Sequence, residues 1–192
     1  MVTLYQFTPT FGLPNGSPFC MKVETFLKMT NIPYKCDEGP DMDKLKKAPK
    51  GKLPFIENLG DLIADSEFIL DYLSDEFKCN LDARLDSREK AALHGLRRSF
   101  EENLYWVAIY SRWIEEKNWP KLKDAFFSGL PGFLQGIVPN MVRKDMIKAI
   151  KAHGMGRHTA REVYAKGNAD IDAAAEILGD QIYFGGEAPC RF

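Results

Sequence analysis

The chain has 192 residues, enough for one large domain or two small ones, and at 45% hydrophobic and 28% charged it has an ordinary soluble balance. Lys plus Arg number 26 against 27 for Asp plus Glu, so the near-neutral surface argues against nucleic acid as the main partner. Cys20, Cys36, Cys79 and Cys190 form neither a CxxC pair nor a zinc-type spacing, and they read as free thiols of a reducing cytoplasm.

The N-terminus lacks a basic segment followed by an apolar run, so no signal peptide is expected. Residues 2–7 alternate and end at Thr8-Pro9, which predicts a strand. A loop with Gly12, Pro14 and Gly16 follows. Ser17 then reads as an N-cap and Pro18 as the first position of a helix running to about Thr30, with Phe19, Val23, Phe26 and Leu27 at helical spacing. A helix N-terminus exposes backbone N–H groups at its positive end, so the region around Ser17 suits an anion. Asn31-Ile32-Pro33 stops the helix, and Tyr34-Lys35-Cys36 predicts a second strand. Residues 41–48 form a lysine-rich turn or short helix.

Leu53-Pro54-Phe55-Ile56-Glu57 and Leu62-Ile63-Ala64 read as two strands joined by Asn58-Leu59-Gly60-Asp61, a hairpin. Asp65-Ser66 caps a helix through Phe77 with Phe68, Ile69, Tyr72 and Leu73 on one face. The order is βαβ, a short connection, then ββα, which predicts a mixed sheet.

Beyond Asp82 the pattern is all-helical. Asp86 and Glu89 form a capping box opening a long helix, with Leu93, Leu96, Phe100, Leu104, Val107 and Ile114 along it and Trp119-Pro120 at its end. Residues 125–142 carry no charge, but Gly129, Pro131, Gly132, Gly136 and Pro139 break the run, which is too polar to span a membrane. A helix over 139–152 is expected to turn Met141, Val142, Met146, Ile147 and Ile150 inward. Thr159 and Glu162 cap a last helix to about Leu178, which carries Gly167 at some cost. His153 and His158 read as turn residues without an acidic partner, and no metal site is expected. The fold class is α/β followed by all-α, with domains at 1–78 and 84–192.

This arrangement resembles the cytosolic glutathione transferase superfamily over nearly the whole chain. Its signature is an apolar-Pro dipeptide opening one strand, here Leu53-Pro54, and an acidic-Ser pair at the next helix start, here Asp65-Ser66. Ser17-Pro18-Phe19 with Lys22-Val23 is similar to the plant tau class. Ser17 to Lys22, Glu24-Thr25-Phe26-Leu27, Ile32-Pro33-Tyr34 and Ala152-His153-Gly154-Met155-Gly156-Arg157 look more like the failed-axon-connections and metaxin-like branch. The resemblance implies a thioredoxin-like first domain, a helical second domain, glutathione as co-substrate, a hydrophobic electrophile, a detoxification-type conjugation and a homodimer. Members of the metaxin-like branch also include adaptors and import components, the competing reading. The family continues past a turn like Gly185-Gly186 into a buried core helix, so the resemblance implies that the sequence stops short of one.

By that resemblance Ser17 stabilises the glutathione thiolate. Tyr5, near the end of the first strand, and Cys20, as the thiol of a glutathione-dependent reductase, are its rivals. Leu53, before a cis Pro54, pairs with the cysteinyl backbone. Asp65 and Ser66 hold the γ-glutamyl end, and Lys52 (or Lys50) the glycyl carboxylate. Tyr105, Trp106, Tyr110 and Trp113 are candidate walls of the acceptor pocket.

Overall fold

Strand β1 (Val2–Tyr5) is the spine of the N-terminal unit. The computed structural model describes residues 1–191 and divides into two compact units, Met1–Ala83 with Arg191, and Arg84–Cys190. In the first, β1 runs parallel to β2 (Tyr34–Cys36), with Val2 opposite Tyr34. It runs antiparallel to β3 (Phe55–Asn58), with Leu4 opposite Ile56. β3 in turn pairs antiparallel with β4 (Asp61–Ala64), giving the order β2-β1-β3-β4. Leu59 and Gly60 both take positive φ, 53° and 93°, as a two-residue hairpin turn with the twist of its strands requires.

β1 stops at Tyr5, short of the expected Phe7, for a visible reason. The Gln6 carbonyl accepts from Lys44 Nζ at 2.8 Å and the Phe7 carbonyl from Asn15 Nδ2 at 2.6 Å, so side chains replace the ladder there.

Helices α1 (Pro18–Met29) and α3 (Ser66–Glu76) lay Val23, Phe26, Leu27, Ile69, Leu70 and Leu73 on Val2, Leu4 and Ile56. Removing each such side chain from water contributes about 1.5–3 kcal/mol. Tyr5, Phe55 and Ala64 form a second cluster with Ala48 and Leu45 of the region around α2 (Asp41–Lys47), with Leu53, and with Cys20 from the first turn of α1. This mixed sheet with its helices is the thioredoxin-like arrangement expected of the first half.

The second unit is all-helical. α4 (Ser87–Ser99) opens on the expected capping box, Asp86 with Glu89. Winding continues through a π turn (Phe100–Leu104), α5 (Tyr105–Ile109) and a second π turn (Tyr110–Ile114). The helix ends there and not at Trp119-Pro120, because Glu115 turns extended at ψ 120°. Pro120 instead lies in the first turn of α6 (Trp119–Phe127), where its missing N–H is harmless. α7 (Gly132–Gln135) and α8 (Val138–His153) follow. After a short 3-10 turn, α9 (Ala160–Leu178) opens on the capping box of Thr159 and Glu162.

Among the described residues no helix is long and apolar enough to cross a membrane. In α8 Ile150 is fully buried, but Met141, expected inward, is 56% exposed in the first turn. Gly167 of α9 has a packing reason: a Cβ there would come within 2.9 Å of Val107 Cγ1.

Candidate functional site

Ser17 takes an extended backbone, φ −100° and ψ 123°, as an N-cap must. Its Oγ accepts from the Cys20 N–H at 3.4 Å. That bond uses one lone pair of a hydroxyl that also has a hydrogen to donate. Beside it lies the positive end of a twelve-residue helix. The cap is held from behind by Asn15, fully buried, whose Oδ1 accepts from the Ser17 N–H at 2.9 Å.

The Leu53–Pro54 peptide is cis, and both residues are buried. Among the described residues the Leu53 N–H and C=O make no backbone hydrogen bond, so they can serve a peptide-like ligand. Asp65 lies at φ 86°, a left-handed-side position that a non-glycine residue rarely takes and that recurs at ligand sites. Its Oδ1 caps α3 through the Glu67 N–H at 3.0 Å. Ser66, 7% exposed, is the first residue of α3, whose free N–H groups suit a carboxylate.

Two contacts bring these motifs together. Cys20, Leu53 and Ala64 belong to one apolar cluster, so the first turn of α1, the cis corner and the end of β4 converge. Lys22 Nζ also meets Glu67 Oε2 at 2.8 Å, joining α1 to the start of α3. The arrangement offers a hydroxyl at one helix start, a carboxylate-friendly second helix start, and an unpaired backbone amide beside them.

Tyr5 is placed otherwise. Its hydroxyl donates to Glu57 Oε2 at 2.9 Å, and its ring stacks on Phe55 with centroids 4.2 Å apart. Burial, then the bond and charge of Glu57, push its pKa up to about 12. Cys20 is fully buried, and burial pushes its thiol up to about 11 against the hydrogen bonds of Phe7 and Ser17. Burial of this kind disfavours the thiolate, the form in which a cysteine attacks. Lys52 is exposed, whereas Lys50 sits over the Phe68 ring at 4.7 Å.

In the second unit Tyr105, Trp106, Tyr110 and Trp113 are half-buried against Val107, Ile109, Ile150, Met155 and Val163. Trp106 stacks on His153 at 4.4 Å. His158, expected to lack an acidic partner, has Nδ1 3.7 Å from Glu162 Oε2, one helical turn on. Among the described residues no group of His, Cys, Asp and Glu could hold a metal ion.

Sequence reasoning misses three supports of the site. Asn15-Gly16 carried a signal, since Asn folds onto the N–H two residues on. The Lys22–Glu67 pair carried none, because the two meet only in the fold. Lys44 reads as a surface lysine but is 3% exposed, with Asp41 at 3.2 Å. Asp41 in turn takes the Thr8 N–H at 3.2 Å, which pins the chain between β1 and Ser17.

The family model for the glutathione S-transferase N-terminal domain matches residues 18–118. The chain is 32% identical over 199 residues to the isoprene-epoxide–glutathione S-transferase of Rhodococcus sp. (strain AD45), covering 97% of this chain and 80% of that one. It is 33% identical over 205 residues to failed axon connections of Drosophila melanogaster, covering 98% of this chain but only 47% of the relative. Metaxin-1 of Macaca fascicularis is 24% identical over 195 residues, covering 97% and 60%. The chain therefore spans most of the first relative, about half of the second and three fifths of the third.

A beta-etherase of Sphingobium sp. strain SYK-6 shares the fold, with TM-score 0.67, 16% identity and coverage of 99% and 78%. A glutathione S-transferase of Ceriporiopsis subvermispora, solved with glutathione, matches with TM-score 0.62, 20% identity and coverage of 99% and 80%. With the family model over more than half its length and a relative above 30% identity along almost all of it, the chain belongs to the glutathione S-transferase family.

Proposed function

We propose that this protein binds glutathione in its first unit and stabilises the thiolate with Ser17 for attack on an electrophile. The observation that carries the reading is the Ser17 hydroxyl at the start of α1, whose first turn shares an apolar cluster, through Cys20, with Leu53 and with Ala64 at the end of β4. Leu53 pairs with the cysteinyl backbone, Asp65 and Ser66 hold the γ-glutamyl end, and Lys52 meets the glycyl carboxylate. The name of the Rhodococcus relative, a glutathione transferase of an epoxide, supports conjugation as the reaction.

The energetics fit. A free thiol has a pKa of about 8.5, and lowering it by two units requires about 2.7 kcal/mol of preferential anion binding. A hydrogen bond to a charged group contributes about 1.5–3 kcal/mol and the helix end about 0.3–1 kcal/mol more. Together they supply about 1.8–4 kcal/mol, a range that brackets the requirement.

A non-catalytic adaptor is the second reading, favoured by the likeness to failed axon connections and metaxin-1 along almost the whole of this chain. Calorimetric titration with glutathione, paired with conjugation of a generic aromatic electrophile, separates the two. Binding and turnover by the wild type, with turnover lost in Ser17→Ala, supports the transferase. Binding without turnover supports the adaptor, and no binding contradicts the glutathione site itself.

A further inference from the structure

Asn15 is fully buried, an unusual place for an amide in a loop, and both ends of its side chain are occupied. Nδ2 donates to the Phe7 carbonyl at 2.6 Å, where the chain has just left β1. Oδ1 accepts from the Ser17 N–H at 2.9 Å. The side chain thus spans the loop from the end of the central strand to the cap of α1. Two further anchors hold the same loop from α2: Lys44 on the Gln6 carbonyl and Asp41 on Thr8.

We infer that Asn15 is the positioning residue for Ser17. An isolated serine N-cap is free to change its χ1 rotamer, and in two of its three wells the hydroxyl leaves the helix start. Here the Ser17 N–H is committed to Asn15, which holds the backbone extended and directs Cα–Cβ toward the cap. In that pose Oγ accepts from the Cys20 N–H, and a hydroxyl that accepts in this way donates more strongly in turn. The sequence is a relay: Phe7 carbonyl, Asn15 amide, Ser17 backbone, Ser17 hydroxyl, ligand thiolate. Asn15 itself touches no ligand. It acts by keeping one hydroxyl hydrogen pointed outward, and its action rests on the proposed thiolate role of Ser17.

The test is a double-mutant cycle read on the thiol pKa of bound glutathione, followed by thiolate absorbance against pH. Asn15→Leu keeps the approximate volume and removes both hydrogen bonds. It is expected to raise that pKa by about one unit, which lowers kcat/KM about tenfold below the wild-type pKa. Below the wild-type pKa glutathione Kd should change less than about threefold, because the neutral thiol is the form bound there and no binding group is lost. In a Ser17→Ala background Asn15→Leu should add nothing to the thiol pKa. Asn15→Ser, a smaller change that cannot span the loop, gives the same comparison if the leucine variant is recovered unfolded.

A wild-type thiol pKa in both Asn15 variants would overturn the inference alone. So would equal, additive losses with and without Ser17, since those describe a structural asparagine. Failure of the wild-type protein to bind glutathione would overturn both the inference and the functional reading beneath it.

Discussion

The Tyr5 hydroxyl donates to Glu57 Oε2 at 2.9 Å, across the antiparallel pair of β1 and β3. The two side chains share one face of the sheet as diagonal neighbours. A hydroxyl already donating to a carboxylate has no second hydrogen for a thiolate. Tyr5→Phe is therefore expected to leave conjugation within about twofold of wild type. It should lower stability by about 1 kcal/mol, the usual net contribution of one hydrogen bond. Steady-state kinetics and urea unfolding check both, and a hundredfold loss of turnover would restore Tyr5 as the thiol partner.

Cys20 is predicted to be inert. With its thiol pushed up to about 11 and no exposed surface, it should resist iodoacetamide at pH 7.5 in the native protein and react fully in urea. Cys20→Ala should keep conjugation and lose about 1 kcal/mol of stability, because it removes a packed sulfur from the cluster under the site. Rapid native labelling, read by mass spectrometry of the Cys20 peptide, would contradict this.

Gly167 sets two effects of opposite sign against each other. Alanine in a helix interior gains about 1 kcal/mol over glycine. A Cβ at this position, however, would lie 2.9 Å from Val107 Cγ1 and 3.4 Å from Leu104 Cδ1. Overpacking of that kind costs about 1–3 kcal/mol. The clash outweighs the propensity, so Gly167→Ala should lower Tm by a few degrees, measured by calorimetry, without altering the first unit's ligand binding.

Glu24 gives the acid limb a definite sign. Burial raises its pKa, but hydrogen bonds from Gln6, Lys28 and Tyr34 together outweigh that and hold it below the unfolded value of 4.5. A depressed carboxylate stabilises the fold above the unfolded pKa and loses that contribution as pH falls through the folded one. Glu24→Gln should be less stable than wild type at pH 7, and the gap should close below about pH 4.5. Urea midpoints across pH 3 to 7 read the difference directly.

Features with local causes were legible in the sequence. The Ser17 and Asp65 caps, the two capping boxes and the Leu59-Gly60 hairpin each depend on a few adjacent residues, and each forms as expected. The cis Leu53–Pro54 bond was legible only through the family resemblance, since nothing local separates it from a trans one. Pro120 shows a limit of local reading, because proline both follows a helix and opens one. The π turns leave the apolar spacing of Phe100, Leu104 and Ile114 almost unchanged, so periodicity does not reveal them. The pairing of His158 with Glu162 was open to an i, i+4 count. The burial of Lys44 was not, because the Gln6 carbonyl that receives it comes from another element 38 residues away.

The central claim is that Ser17 lowers the thiol pKa of bound glutathione. Titrating the thiolate absorbance of the complex from pH 5 to 10, in wild type and Ser17→Ala, measures it directly. The account predicts a wild-type midpoint about two units below the free thiol's 8.5 and a Ser17→Ala midpoint returning most of the way to it, with glutathione still bound. Equal midpoints in the two proteins would contradict it.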